Sequence, residues 1–345
     1  MPQPIPLRLA PALFAAASLA PAGLVAAGAL AGGAWVWGAL LSITFVAATL
    51  DRIAPVAGPE ATEGDEFPAG DGLLLAIAAV HAVLLPLAAW AVAGPSDLTP
   101  AERAGLFTAA GLWFGQVVNP AAHELIHRPG RALFRLGAAL YATLLFGHHA
   151  SAHRLVHHRH AASRDDPNTA RAGEGFWRFL LRAWAGSFRE GWRAEAARPR
   201  RGPHPYAWYL AGSLAALALA FALAGWPGVL AWTGLAVHAQ TQLLLSDYVQ
   251  HYGLTRRAGP DGRPEPMALR HSWNAPHWFT GAMMLNAPRH SDHHAHPARP
   301  YPALRLFAAD EAPRLPWALP VACFIALVPP WWRRAMAPHL APWRS

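Results

Sequence analysis

AGLFTAAGLWFGQVVNPAAHELIH, residues 104–127, is an apolar run that ends in two histidines four residues apart. Residues 104–122 carry no charge and approach the ~20 residues a helix needs to cross a bilayer. His123 and His127 follow at once. On a helix, residues i and i+4 share a face, so both imidazoles can reach one metal ion. Neutral imidazole is the commonest transition-metal ligand among side chains. The stretch therefore predicts a membrane-spanning helix whose foot carries metal ligands.

Three further clusters follow, two with paired histidines and one in which His251 stands alone at the foot of an apolar run. They are His153-Arg-Leu-Val-His157-His158, Asp247-Tyr-Val-Gln-His251-Tyr-Gly-Leu254 and His290-Ser-Asp-His293-His294. Zinc takes four ligands and octahedral iron about six, so the nine histidines His123, His127, His153, His157, His158, His251, His290, His293 and His294 exceed one ion and point to two. The spacing predicts that His153 and His157 share one ion, with His158 turned about 100° away toward a second. His290, His293 and His294 likewise reach two. A zinc-protease reading of HELIH leaves the other seven histidines unexplained. Metal-bound imidazoles usually donate their second nitrogen to a carboxylate or carbonyl, so Glu124, Asp165, Asp166, Asp247 and Asp292 are candidate supports. His148, His149, His160, His271, His277 and His296 are read as supporting or loop residues, and His81 and His238 as hydrogen-bonded within the bundle.

The composition fits a membrane protein, with 54% hydrophobic and 14% charged residues. Expected spans are 9–31, 33–50, 73–94, 104–122, 206–225 and 227–246, with turns at Gly32-Gly33 and near Trp226-Pro227-Gly228. The first is not read as a cleavable signal, because it lacks a strong basic start and runs into a second span. Residues 136–146 are too short to cross and 315–332 carry four prolines, so both are expected to pack against the bundle or lie in the interface. Residues 199–205 and 258–266 read as loops.

Six spans put the exits of spans four and six on one side. All four clusters can then share a face, together with every Arg except Arg103. That asymmetry predicts a cytoplasmic site in the inner membrane and accounts for the net charge of +8 without nucleic acid. The single Cys323 excludes a cysteine-ligated redox cluster, and no glycine-rich dinucleotide fingerprint is present. The chain is therefore expected to bind no flavin, haem or nicotinamide. A histidine-rich transporter would place its ligands near the midplane of broken helices, and these clusters sit at span ends.

In order and placement the clusters resemble the membrane-bound di-iron alkane hydroxylases, the alkane 1-monooxygenases, within the histidine-box superfamily of fatty-acid desaturases and hydroxylases. HELIH matches the first family box. His153, His157 and His158 match the histidines of EHxxGHH, followed by Asp166-Pro167. Residues 247–254 resemble NYxEHYGL, while His271-Ser-Trp-Asn274 and Arg289–His294 resemble HSWN and QRHSDHH. The likeness covers about 120–335, including Leu327-Val-Pro-Pro-Trp-Trp-Arg-Arg334. Departures are Ala152 for Glu, Val156 for Gly, Asp247 for Asn, Gln250 for Glu and Pro288 for Gln; they flank ligands and remove none.

The resemblance implies an all-α polytopic membrane monooxygenase in one domain, with histidine-box regions at 123–201 and 247–314. It implies two irons on the nine histidines, with Glu124, Asp166, Asp247, Gln250, His271 and Asp292 in support. The implied reaction is terminal hydroxylation of an alkane drawn from the bilayer, using O2 and electrons from a rubredoxin or ferredoxin with its NAD(P)H reductase. A lipid desaturase or hydroxylase is the alternative within the same superfamily. Trp35, Trp37 and Phe45 in span two are read as ordinary lipid-facing or packing aromatics in preference to a gauge of chain length.

Overall fold

A computed structural model describes residues 9–53, 69–94, 96–199, 201–260 and 262–343. Among these the chain is helical, with no strand and only two isolated bridges, Ala258 to Pro264 and Asn274 to Arg314. Arg200 and Asp261, in the two expected loops, lie outside the described residues.

Helices α1 (Ala10–Ala31) and α2 (Ala34–Ile53) form the expected hairpin. Its turn is Gly32 and Gly33, with φ of 61° and 57°, a left-handed backbone that glycine adopts without a Cβ penalty. Helix α3 (Ala69–Ala93) follows, then α4 (100–127). Thr99 and Glu102 make a reciprocal capping box at the start of α4. Glu102 Oε1 also accepts from Gly33 N at 2.6 Å, tying the first turn to the start of α4.

Helices Ala10–Ala31, Ala34–Ile53, Gly70–Ala93 and Pro205–His251 are long and apolar enough to cross a membrane. The last, α8, runs 47 residues, about 70 Å at 1.5 Å per residue and too long for one crossing. Ala224 (φ −150°, ψ 23°) and Gly225 (φ 59°) break it into two limbs. The break falls just before Trp226-Pro227-Gly228, with Pro227 opening the second limb, where its missing N–H is harmless.

The expected span 104–122 is helical throughout but is not apolar enough to count among these. Gln116 and Asn119 lower its hydropathy, and both are buried. The cause is position: α4 packs against α1, α2, α3 and α8, so protein covers it.

The rest of the chain gathers at the foot of α4 and α8. Helix α5 (Arg131–Thr143), which takes in most of 136–146, packs on the last turns of α4. Helix α6 (149–160) is short, and α7 (Phe176–Ala196) packs on it and on α8. Two one-and-a-half-turn helices follow, α9 (Trp278–Met283) and α10 (His290–Ala295). Residues 315–332 form no helix long enough to cross: they hold α11 (Leu319–Ala326), which packs on α8, and the start of α12 (Pro329–Leu340).

Exposed aromatics sort by height. Trp35, Trp37 and Trp226 stand beside the hairpin turns, and Trp177, Trp184, Trp192, Trp208 and Trp331 stand at the other end. Indole rings favour membrane–water interfaces. On α7 the exposed Trp177, Leu181, Trp184, Phe188 and Trp192 form one stripe, with Arg178, Arg189 and Arg193 beside it.

Helix packing inside a bilayer relies on small residues that let backbones approach. A Cβ on Gly137 would lie 2.8 Å from Ala122 O and 2.8 Å from Leu125 Cβ. Gly137→Ala is expected to destabilise the fold by roughly 1–3 kcal/mol through overpacking. Gly23→Ala, with nothing within 4 Å of the new Cβ, is expected to leave it unharmed. Thermal unfolding in detergent distinguishes the two, and equal melting temperatures would contradict the α4–α5 contact.

Candidate metal centre

The nine predicted histidines converge on two adjoining points. His123, His127, His153, His158 and His293 form one group, and His157, His251, His290 and His294 form the other; ligand atoms within each group lie within 4.8 Å of one another. Four segments deliver them: the foot of α4, the whole of α6, the last residue of α8, and α10.

In the first group, Nε2 atoms approach at 2.8 Å (His123–His153), 2.9 Å (His153–His158), 3.1 Å (His158–His293) and 3.2 Å (His127–His158). In the second, His251–His290 is 3.0 Å and His290–His294 is 3.1 Å. For metal–nitrogen bonds of about 2.0–2.1 Å, ligand atoms at right angles stand about 2.9 Å apart. The donor set thus fits one metal per group. His157 Nε2 is buried without a protein hydrogen-bond partner, as a nitrogen reserved for an ion would be. The groups touch through His158 and His294, whose ring centroids are 4.8 Å apart.

The division of α6 differs from the spacing argument. His153 joins His158 in the first group, and His157 goes to the second. Residues His153–His157 form a π-helical turn. Its i→i+5 hydrogen bonding widens the turn, so residues five apart, not four, share a face. In α10 the ordinary helix rule holds: His290 and His294 (i, i+4) share the second group, and His293 faces the first.

Burial sets the charge state. Desolvation first, and neighbouring imidazoles second, hold His153, His158, His293 and His294 well below the usual histidine pKa. These rings are neutral at pH 7, as metal ligation requires. For His157, burial opposes a charge, but the Asp166 carboxylate outweighs it and raises the pKa. Burial pushes Asp166 up, and the His157 interaction overrides that and holds its pKa below the usual value.

Among the predicted carboxylates, Asp166 alone meets a ring of either group, through His157 Nδ1 at 2.8 Å. Thr169 Oγ1 donates to it at 2.7 Å and Asn168 N at 3.0 Å. Asp247 is one step further out and accepts from Asn168 Nδ2 at 2.6 Å. Glu124 accepts from Tyr301 N at 3.0 Å, and Asp292 accepts from His296, Arg299 and Arg305 N. These two order the segment after α10 and touch no ligand ring. Asp165 is exposed. Gln250 accepts from Ser246 and donates to Ala287 O at 3.0 Å, bracing α8 against the chain before α10. His271 is buried and bonds Ala268 N and Glu265, so it supports a loop. His81 pairs with Thr143 at 2.8 Å, and His238 stacks on Phe107 inside the bundle.

Several braces were visible in the sequence only as members of a motif or a histidine pair, without a role. Asn274 Oδ1 accepts from Ser291 N at 2.9 Å and its Nδ2 donates to Ser291 Oγ and Pro313 O, which pins α10. Trp273 donates to Gln250 O and Tyr252 O, which pins the end of α8. The His271–Asn274 motif therefore clamps two ligand-bearing segments to each other. His149 is buried with its ring 5.1 Å from that of His153; the adjacent His148-His149 pair was its only hint.

Against the first group lies a narrow pocket between α4, α8 and α11, lined by Gln116, His123, His153, Leu243, Met284 and Cys323 among others. Trp35, Trp37 and Phe45 do not line it; they are exposed on the outer surface of α2.

Fold and site together define a polytopic membrane protein with a paired histidine metal centre. The chain matches the fatty acid desaturase family over residues 102–340. It is 32% identical over 316 residues to alkane 1-monooxygenase 2 of Pseudomonas aeruginosa, covering 87% of this chain and 83% of that one. To alkane 1-monooxygenase 1 of the same organism it is 35% identical over 246 residues, covering 69% and 64%. To the xylene/toluene monooxygenase hydroxylase component of Pseudomonas putida it is 28% identical over 257 residues, covering 71% and 66%. The chain belongs to the fatty acid desaturase family.

Replacing Asp166 by Asn removes the charge behind His157 while keeping its size. Such outer partners typically contribute 10–100-fold to metal affinity, so Asp166→Asn is expected to weaken one of two bound metals by about that factor. Chelator competition on metal-loaded protein measures it; two unchanged affinities would show that Asp166 merely fills space.

Proposed function

We propose that the chain is an alkane 1-monooxygenase that works as one membrane-embedded unit: an alkyl chain, O2, two electrons and two protons give a primary alcohol and water at a di-iron site. The carrying observation is the position of two adjoining imidazole groups at the inner end of an apolar pocket between helices that can span a membrane. His123, His127, His153, His158 and His293 hold one iron, and His157, His251, His290 and His294 the other. When bound, the irons supply reductive activation of O2, which organic side chains cannot.

The rest of the machinery is positioning. Asp166 fixes the tautomer and direction of His157. Asn274 and Trp273 hold the α8 and α10 ligands at fixed separation. Leu243, Met284 and Cys323 keep water from the pocket wall and admit a hydrocarbon, which arrives end-on from the bilayer.

The metal face is proposed to meet the cytoplasm at the inner membrane, because all the arginines but Arg103 fall on its side of the six-span topology. The aromatic stripe of α7 then lies in the adjoining leaflet, as expected of an amphipathic interfacial helix. Electrons come from a separate rubredoxin or ferredoxin and its NAD(P)H reductase. An arginine-lined groove, with Arg159, Arg164, Arg171 and Arg189, suits an acidic donor protein. Its wall includes Val156 and Pro167, neighbours in sequence of His157 and Asp166.

Protein purified anaerobically is expected to carry about two irons per chain, and His294→Ala about one. Membranes supplied with rubredoxin, reductase and NADH are expected to convert an n-alkane to its 1-alcohol, and the variant to make none. A single zinc per chain, or full turnover by His294→Ala, would overturn this function.

A further inference from the structure

Gln116 sits in the middle of a π-helical turn, Phe114–Val118, in the span 104–122. It lines the pocket that reaches the metal groups, it is 6% exposed, and its Oε1 is buried with no hydrogen-bond partner. An unpaired amide in apolar surroundings is unfavourable. No water is available to relieve it in a bilayer. Single π-turns inside helices recur at functional sites. Four nearby polar groups of the same wall are already engaged: Asn119 donates to Ala239 O, Tyr141 to Asn119 O, and Asp247 and Gln250 hold the bonds described above; His149 Nδ1, nearer the metal groups, is buried without a partner as Gln116 Oε1 is. Asp247 and Gln250 are also two of the positions where the motifs depart from the alkane hydroxylase pattern. The departures and the unpaired amide meet in one pocket.

We propose that this pocket takes an alkyl chain bearing a hydroxyl group, the hydroxyl donating to Gln116 Oε1 while the opposite end of the chain lies at the metal groups. This deepens the monooxygenase reading and rests on it. Gln116 precedes His123 by seven residues, about 10 Å along the helix axis at 1.5 Å per residue. That separation places the bound hydroxyl well away from the reacting carbon, so the anchored alcohol is the substrate and not the fresh product. The far terminal C–H bond breaks and a C–O bond forms with one atom of O2. The other oxygen atom leaves as water, using two electrons from the reduced donor protein and two protons. The product is a diol hydroxylated at both ends. Gln116 anchors the substrate and takes no part in the bond changes.

The test compares 1-alkanols with n-alkanes of equal length in membranes supplied with rubredoxin, reductase and NADH. Wild type is expected to show the higher kcat/KM for the alkanol. Gln116→Leu is expected to lower the alkanol-to-alkane ratio of kcat/KM about tenfold, the worth of one hydrogen bond to a buried group. Gln116→Met serves the same purpose should the leucine variant fold poorly. Binding is read separately, by anaerobic thermal stabilisation of the purified protein with each ligand. An alkanol preference in binding that the Gln116 variants lose, without product from either ligand, would support the anchor and overturn the monooxygenase function. Alkane hydroxylation with no alkanol preference, or a ratio unmoved by Gln116→Leu, would overturn the anchor and leave the function standing.

Discussion

Nine imidazoles must bring their nitrogens to two points while largely shielded from water, and the remaining architecture follows from that requirement. Each ring loses its hydration, and the loss is recovered only by ligation or hydrogen bonding. No disulfide, strand or covalent link enforces the convergence among the described residues. The bilayer does part of the work, since α4 and α8 arrive already aligned at the same interface. Side-chain braces complete it: Asn274 on α10, Trp273 on α8 and Asp166 on α6 each fix one ligand-bearing segment.

The π-helical turn in α6 resolves a geometric problem. Two adjoining metals need ligands from a single helix that point to both, yet at the ordinary pitch residues i and i+4 point together. Widening His153–His157 by one residue per turn pairs His153 with His158 and leaves His157 for the other group. The i, i+4 pairs of α4 and α10 need no such distortion. A π-turn also sits in α4, seven residues before the first ligand, and turns Gln116 into the pocket wall. In both places the irregularity aims a side chain that regular helix would misdirect.

Much of this was legible in the sequence, for physical reasons. Charge-free runs of bilayer length can only be helices, and the paired glycines at 32–33 mark a turn that few other residues tolerate. Histidine spacing revealed eight members of the two groups, and His251 was legible from its place at the end of an apolar run and from the family motif around it. Spacing could not reveal their partition, because local π geometry leaves no composition signal and the i, i+4 rule assumes a regular helix. The supporting carboxylates were legible only as neighbours in sequence. Glu124 and Asp292 are adjacent to ligands along the chain, but helical rotation turns them about 100° away, onto Tyr301 and Arg305. Asn168 and Asn274 act through contacts 79 and 17 residues distant, which no local pattern encodes.

The height of the site relative to the membrane reconciles two opposed demands. On the function proposed above, a hydrocarbon must reach the metal groups without crossing water, whereas a donor protein must reach them without entering lipid. Placing the ligands at the feet of α4 and α8 answers both. The pocket rises from His123 and His290 along the spans toward Gln116 and Leu243, so its upper part lies where the surroundings are apolar. The arginine-lined groove lies on the other side of α6, against Val156 and Pro167. Helix α6 is thus a thin wall with the pocket on one side and a polar, positively charged surface on the other. Its neighbours follow from its sequence: Ala152 is small and lets Gly191 of α7 approach, Val156 is buried against the groove, and Arg154 and Arg159 are exposed. Moving the ligands one turn up the spans would bury the electron entry in lipid, and moving them one turn down would expose the reacting carbon to water. The foot of the spans is the one level at which both routes stay short.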